Sequence, residues 1–376
     1  QRVTHSVLMK KFILIWVMTY LLVMGCYAVG ETFSISSPAG QKNSNIAQAD
    51  VSKKQRGVSW VAGPRPITRK NLESLQANHV NWIAQTPFGW QRDYDSPELI
   101  LKTSGTYWGE TDRGLALTTQ YAQELGIKTL LKPHIWLTQV REGKWRTDIA
   151  MQSEADWQTW FNQYRTFILH YARFAETHRI PVLCIGTELQ TTAVQREQDW
   201  RRLIADIRQV YHGQLTYAAN WFEAFEQIQF WDALDFIGIQ AYFPLATGLS
   251  PTVEQLKTGW QPYIETITAV QQQYQKPVIF TEIGYRSTED AAIEPWRWPD
   301  SSELNPKDSA TKAGLLTQAN CYEAFFQTFW EQEWFAGAYW WKWFPEINQD
   351  SQQVGKGFTP QNKPAEKILN SLYCHT

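Results

Sequence analysis

From residue 58 onward, short and nearly unbroken apolar runs alternate with longer stretches in which apolar residues recur at helical spacing. The runs predict eight strands: Val58 to Ala62, Val80 to Gln85, Lys128 to Ile135, Pro181 to Gly186, Leu215 to Ala219, Asp235 to Ala241, Pro277 to Thr281 and Ala336 to Trp341. The stretches between and after them predict helices over Ile67–Asn78, Asp112–Leu125, Ser153–His178, Gln198–Tyr211, Val253–Tyr274, Ala310–Trp334 and Lys363–Leu372. Ser153 before Glu154 and Asp156 reads as a capped, acidic helix start, and Gly126 as a helix stop. Strands without polar alternation are those of parallel sheets covered on both faces. Eight of them alternating with helices predict an α/β fold, a (β/α)8 TIM barrel. The competing architecture is an open doubly wound sheet. It calls for a Gly-rich phosphate turn after an early strand, and in GVSWVAGPRP the prolines Pro64 and Pro66 interrupt that turn.

The first 54 residues follow a different pattern. Met9-Lys10-Lys11 precedes a 13-residue apolar run, Phe12 to Met24, and then Gly25-Cys26. This has the layout of a secretory signal peptide over residues 1–25, with Met9 as the true start, and is short for a membrane span. An uncleaved anchor is the alternative. Val23-Met24-Gly25-Cys26 resembles a lipoprotein cleavage box, making Cys26 a candidate lipid anchor. Residues 26–54 are rich in Ser, Gln, Asn and Ala and read as a flexible tether. The folded domain is expected over 55–376, in an exported protein that is periplasmic, extracellular or lipid-anchored at the cell envelope.

Charge excludes one class of partner. With 35 basic and 37 acidic side chains the net charge is −2, without the basic footprint of a nucleic-acid binder. Loss of residues 1–25 removes Arg2, Lys10 and Lys11 and no acid, and moves the net charge to −5. The aromatic content changes the picture more. Twenty Trp, 16 Tyr and 18 Phe suit either a Trp-rich core or a surface that grips the flat apolar faces of sugar rings. Beyond Cys26 there are Cys184, Cys321 and Cys374, with no metal-binding spacing. Cys184 falls in the apolar run PVLCIG and is expected to be buried. A Cys321–Cys374 disulfide is left open.

In a barrel, chemistry gathers where strands run into their following loops. The fourth predicted strand ends Ile185-Gly186-Thr187-Glu188 and the seventh ends Phe280-Thr281-Glu282. Each glutamate alone reads as a cap or a surface ion pair. Together, on two strands facing each other across the barrel mouth, they fit the carboxylate pair of retaining glycoside hydrolysis, which needs a spacing of about 5–5.5 Å. No HExxH zinc motif, GxSxG nucleophile elbow or phosphate loop is present, and no cofactor is expected.

These segments resemble the retaining (β/α)8 glycoside hydrolases with glutamates on strands four and seven. More closely, KPHIW (132–136), IGTEL (185–189), ANW (219–221), IGIQAYFPL (237–245), KPVIFTEIGYRS (276–287) and GAYWWKW (337–343) are similar to family 113 of the glycoside hydrolases, known for endo-acting β-mannanases. The resemblance implies Glu188 as acid/base and Glu282 as nucleophile. Thr187 stands where most of the wider clan has an Asn for the sugar 2-hydroxyl, a place that Asn220 is expected to fill. Tyr242 resembles the hydroxyl that orients the nucleophile, with a packed rim tyrosine as the alternative. His134, ending the third strand, is either a sugar ligand or a structural histidine, with Lys132 as its ionic neighbour. Strand alternation places Trp341 and Trp343 on one face, with Trp340 and Lys342 on the other. Trp341, then Trp343, is expected to floor the subsite at the scissile bond. Trp60, Phe88, Trp90, Trp221 and Phe222 are expected as loop aromatics of the cleft. The Thr288–Ser309 loop, with Trp296, is expected to wall one side.

The resulting expectation is a monomeric retaining hydrolase of a β-linked polysaccharide or oligosaccharide, β-1,4-mannan or glucomannan. The alternatives are a carbohydrate-binding envelope lipoprotein without turnover, or a hydrolase of another bacterial or envelope polysaccharide.

Overall fold

The strands in chain order are β1 (Gln55–Trp60), β2 (Trp82–Gln85), β3 (Phe88–Gln91), β4 (Leu99–Leu101), β5 (Lys128–Leu131), β6 (His134–Leu137), β7 (Val182–Thr187), β8 (Gln214–Asn220), β9 (Phe236–Gln240), β10 (Val278–Ile283) and β11 (Phe335–Trp343). The helices are α1 (Lys70–Ala77), α2 (Asp112–Glu124), α3 (Glu154–Thr177), α4 (Gln190–Gln195), α5 (Glu197–Arg208), α6 (Ala224–Gln227), α7 (Val253–Tyr274), α8 (Lys312–Phe329) and α9 (Pro364–Cys374). They come from a computed structural model that describes residues 54–101, 107–298, 310–347 and 355–374. The expected signal peptide, Cys26, the tether up to residue 53 and residues 299–309 of the long loop lie outside the described residues. Among the described residues, no helix is long and apolar enough to cross a membrane.

Eight strands close a barrel in the order β1-β11-β10-β9-β8-β7-β5-β2. Every neighbouring pair is parallel, including β1 with β11, which shuts the ring. The fold is therefore a (β/α)8 barrel. Its strands are buried on both faces, as their apolar runs require. Inside the barrel, Trp82 and Tyr339 meet edge to face at 6.4 Å. The Tyr339 hydroxyl donates to Gln55 Oε1 at 2.6 Å, so the buried polar tip is satisfied. Outside it, helices pack their apolar stripes on the strands: Trp200 of α5 lies against Tyr217 of β8, and Phe329 of α8 against Phe280 of β10.

The expected third strand is two strands. Pro133 has no N–H for the ladder, and the chain bends there. Residues 128–131 stay in the barrel as β5, while His134 opens β6 in a separate three-stranded sheet ordered β4-β3-β6. β6 runs parallel to β3, pairing His134 with Phe88 and Trp136 with Trp90. Phe88 and Trp90 are thus strand residues, not loop residues. This small sheet rests on α3, where the Trp160 indole donates to Gln91 Oε1 at 2.9 Å. Cys184, Cys321 and Cys374 are all free thiols, so Cys321 and Cys374 form no disulfide; Cys184 and Cys321 are buried and Cys374 is exposed.

Candidate active site

Glu282 is the penultimate residue of β10 and is 4% exposed. Three groups close on its carboxylate. Lys132, directly after β5 and fully buried, makes an ion pair with Oε1 and also donates to the Thr281 carbonyl at 3.2 Å. Tyr242, two residues beyond β9, donates its hydroxyl to Oε2 at 2.8 Å. His134 brings Nε2 to 3.8 Å of Oε1, and this nitrogen has no hydrogen-bond partner. A buried carboxylate is stable only when paired and hydrogen-bonded, and both conditions hold here. Burial and the charge of Glu282 push the Tyr242 phenol well above its ordinary range, so it remains a neutral donor. Burial, aided by Lys132 and Arg146, holds the His134 pKa well below 6.5, so the ring is neutral at pH 7.

Glu188 follows β7 in a left-handed conformation, φ 56°. Such a conformation is rare for a residue with a side chain and breaks the strand's alternation at this point. Its N–H is still bonded to the Ala218 carbonyl at 2.9 Å. Its carboxylate is more open than that of Glu282, with 16% against 6% of the side chain exposed. One ionic partner reaches it: Arg146 Nε at 2.7 Å from Oε2. Arg146 comes from a single helical turn, Arg146–Asp148, and also bonds the Ile135 carbonyl at 3.3 Å. Asn220, the last residue of β8, makes no hydrogen bond to either carboxylate. It donates to Thr147 Oγ1 at 3.3 Å and Gln190 Oε1 at 3.5 Å, and so braces the turn that carries Arg146. Thr187 is buried and donates to the Pro133 carbonyl at 3.3 Å.

Aromatic side chains flank the carboxylates. On β11, Trp340 is fully buried against Tyr322 of α8, with centroids 3.5 Å apart. Trp343 is also fully buried, and its indole N–H bonds Ser74 Oγ at 3.3 Å. Trp341 and Lys342 are the half-buried residues between them. The expected sharing of one face by Trp341 and Trp343 does not hold. The reason is a register shift: Trp340 pairs with Val58 and Trp343 with Trp60, so β11 spends one residue more than β1 over this stretch. Trp341 stands at the site, with Lys132 Nζ 6.0 Å from its ring and Gly284 packed against its backbone. Trp60 ends β1 rather than standing in a loop, and is buried at 4% exposure.

Phe88 lies edge-on to His134 at 5.6 Å and to Trp136 at 5.9 Å. Trp136, 41% exposed, continues edge-on to Trp145 at 5.0 Å, over which the Arg146 guanidinium sits at 5.3 Å. An aromatic ridge thus leads from Glu282 to the cation on Glu188. Elsewhere the exposed Trp296 stacks at 5.1 Å on the half-buried Trp221, which stands beside Phe222.

Arg146, Trp136, Trp145 and the pairing of Lys132 with Glu282 were not legible in the sequence. Lys132 does give a signal, because a lysine directly after a buried barrel strand needs an acid partner. Arg146 gives none, since it lies in a polar loop far along the chain from Glu188.

Comparisons with known proteins bear on the family and the fold. The sequence profile of Glycoside Hydrolase Family 113 matches residues 57–363. No curated protein sequence matches the chain. Among solved structures, a family 113 β-1,4-mannanase in a complex is 25% identical with a TM-score of 0.70, covering 86% of this chain and 100% of its own. The family 113 β-mannanase of Alicyclobacillus acidocaldarius is 26% identical with a TM-score of 0.71, covering 86% and 98%. A Ruminococcus gnavus β-glucuronidase, 12% identical with a TM-score of 0.57, shares the fold over 85% of this chain and 50% of its own. A family profile spanning most of the barrel, with carboxylates after its fourth strand and at the end of its seventh, makes this chain a glycoside hydrolase that belongs to family 113.

Proposed function

We propose that the chain is a retaining hydrolase of β-1,4-mannan or glucomannan, with Glu282 as nucleophile and Glu188 as acid/base. The observation that carries this reading is the contrast between the two carboxylates. Glu282 is enclosed and oriented from both oxygens by Lys132 and Tyr242, as an attacking carboxylate needs. Glu188 is more open and holds a single ionic partner. In the first step Glu282 attacks the anomeric carbon and Glu188 gives a proton to the departing glycosidic oxygen. For that transfer the Glu188 carboxyl turns from Arg146, which holds it at 2.7 Å, to the glycosidic oxygen. In the second step Glu188 takes a proton from water, the water attacks the anomeric carbon, and Glu282 leaves as a carboxylate. The choice of mannan rests on the two family 113 mannanases of similar structure. The N-terminal leader pattern supports action outside the cytoplasm.

The test is hydrolysis of a panel of plant and bacterial polysaccharides, with products resolved by size and anomeric configuration. The expected result is β-mannooligosaccharides released with retention. Glu188→Gln and Glu282→Gln each lose about 10³-fold or more in turnover. A product of inverted configuration, or wild-type rates in either variant, removes the corresponding role.

A further inference from the structure

A groove of about 620 Å³ lies on the flank of the barrel and shares no residue with the carboxylate site. Its floor is one face of α2, where Arg113, Leu117 and Gln120 follow one another at helical spacing. Trp108 and Pro66 close one end, and His178 and Arg179, just past α3, close the other. Gln123 lies about 15 Å along the helix from Arg113, so the groove is several sugar rings long. Its side-chain amide donates to the His178 carbonyl at 2.9 Å and ties α2 to the end of α3. α2 leads from the mouth of the barrel down to the start of β5, which puts Trp108 and Arg113 at the rim and Gln123 below. Among the described residues, no acid lines the groove, and neither the Arg113 nor the Arg179 guanidinium has a hydrogen-bonded or ionic partner.

We infer that this groove is a second binding site for a neutral β-linked glycan, away from the point of cleavage, and that it keeps the enzyme on its polymer. The inference rests on the mannan-hydrolase reading above, because the same chain is its ligand. A sugar ring has a flat C–H face and an edge of hydroxyls. Trp108, Pro66 and Leu117 offer apolar surface to the face. The two guanidiniums and the Gln120 amide offer N–H donors to the edge. The volume falls within the range of ligand sites, about 300–1,000 Å³. A small anion would use the arginines alone and leave the apolar strip uncovered. Because the groove begins at the rim, one polymer reaches both groove and cleft. Two joined sites on one polymer act through a raised local concentration, and the cleft meets fresh bonds without a new encounter.

Two measurements separate groove from cleft. Adsorption to insoluble β-1,4-mannan is measured for the whole chain carrying Glu282→Gln, alone and with Trp108→Ala or with Arg113→Ala plus Arg179→Asn. Asparagine suits the left-handed backbone of Arg179, φ 53°. The kcat/KM for a short soluble β-1,4-mannooligosaccharide is measured for the same groove substitutions in the active chain. Thermal melts check the fold, and the exposed arginine pair carries the test if Trp108→Ala unfolds. Adsorption is expected to fall about tenfold or more in the groove variants, with turnover of the oligosaccharide unchanged. Unchanged adsorption, or equal losses of adsorption and of oligosaccharide turnover, overturns the inference. So does adsorption that inorganic phosphate displaces and soluble mannooligosaccharide does not, which marks an anion site. A chain that adsorbs through the groove but cuts no mannooligosaccharide keeps this site and removes the mannan-hydrolase reading. A chain that does not adsorb removes the second site, whatever it cuts.

Discussion

Glu282 and Glu188 carry the same functional group, and their neighbours give them different tasks. The positions of both were legible because each directly follows or ends an apolar strand, as does that of Tyr242. Lys132 was legible beside His134, though not its pairing with Glu282, and Arg146 was not, because it reaches Glu188 from a polar loop distant in the chain. Each neighbour of Glu282 has a separable effect. Lys132→Met leaves a buried carboxylate without its cation and should cost about 3–5 kcal/mol of stability, read from denaturant unfolding. Tyr242→Phe removes one hydrogen bond to an ionised group. It should fold normally and lose about ten- to a hundredfold in kcat/KM; an unchanged value would take the orienting role from Tyr242. His134 predicts a pH effect. Its folded pKa lies well below 6.5, so below about pH 6.5 the unfolded chain takes up a proton that the folded chain refuses. Its contribution is present above that pH and lost as pH falls towards the folded pKa. The melting temperature of the wild type should therefore drop relative to that of His134→Asn between pH 7 and pH 5.

At the scale of elements, the long helices and the barrel strands read truly and the small sheet did not. α7 runs over the expected Val253–Tyr274, and α3 starts after the expected Ser153 cap, whose Oγ accepts from the Asp156 N–H at 3.2 Å. The small sheet β4-β3-β6 escaped notice because its strands span three or four residues, too few for periodicity to register. The extra residue of β11 escaped because a bulge leaves no mark in a run of aromatics, and it moved Trp343 from the cleft to the core. β11 also contains Gly337 at φ +139°, where a Cβ would collide with the backbone of Gln55 on β1. Gly337→Ala should destabilise the protein by about 2 kcal/mol or more, seen as a lower unfolding midpoint. An unshifted midpoint would mean that the β1–β11 seam yields more readily than its close approach implies.

For the whole molecule, that seam joins the two ends of the barrel sequence, and α9 straps it. Arg56 of β1 donates to the Tyr373 carbonyl at 2.8 Å, and Asn370 of α9 donates to the Ala77 carbonyl at the end of α1 at 2.6 Å. Leu369 and Tyr373 are fully buried, Tyr373 against Phe326 and Trp330. Deleting residues 364–376 should expose that aromatic cluster and give an aggregating or low-melting protein, measured by light scattering and thermal denaturation. Closure of the ring was the most legible property of all. Eight apolar strands in alternation leave few other ways to hide their edges.

The three free thiols of the barrel domain turn this architecture into a timer. Cys374 is open to a labelling reagent at once. Cys184, inside β7 with its thiol bonded to the Gly186 carbonyl at 3.1 Å, reacts only when the wall of the barrel parts. Its modification rate counts those openings. A saccharide that binds only the closed barrel slows the count by a factor of 1 + [L]/Kd. A sulfur atom with no part in the chemistry can thus rank sugars by affinity, whether or not the enzyme cuts them.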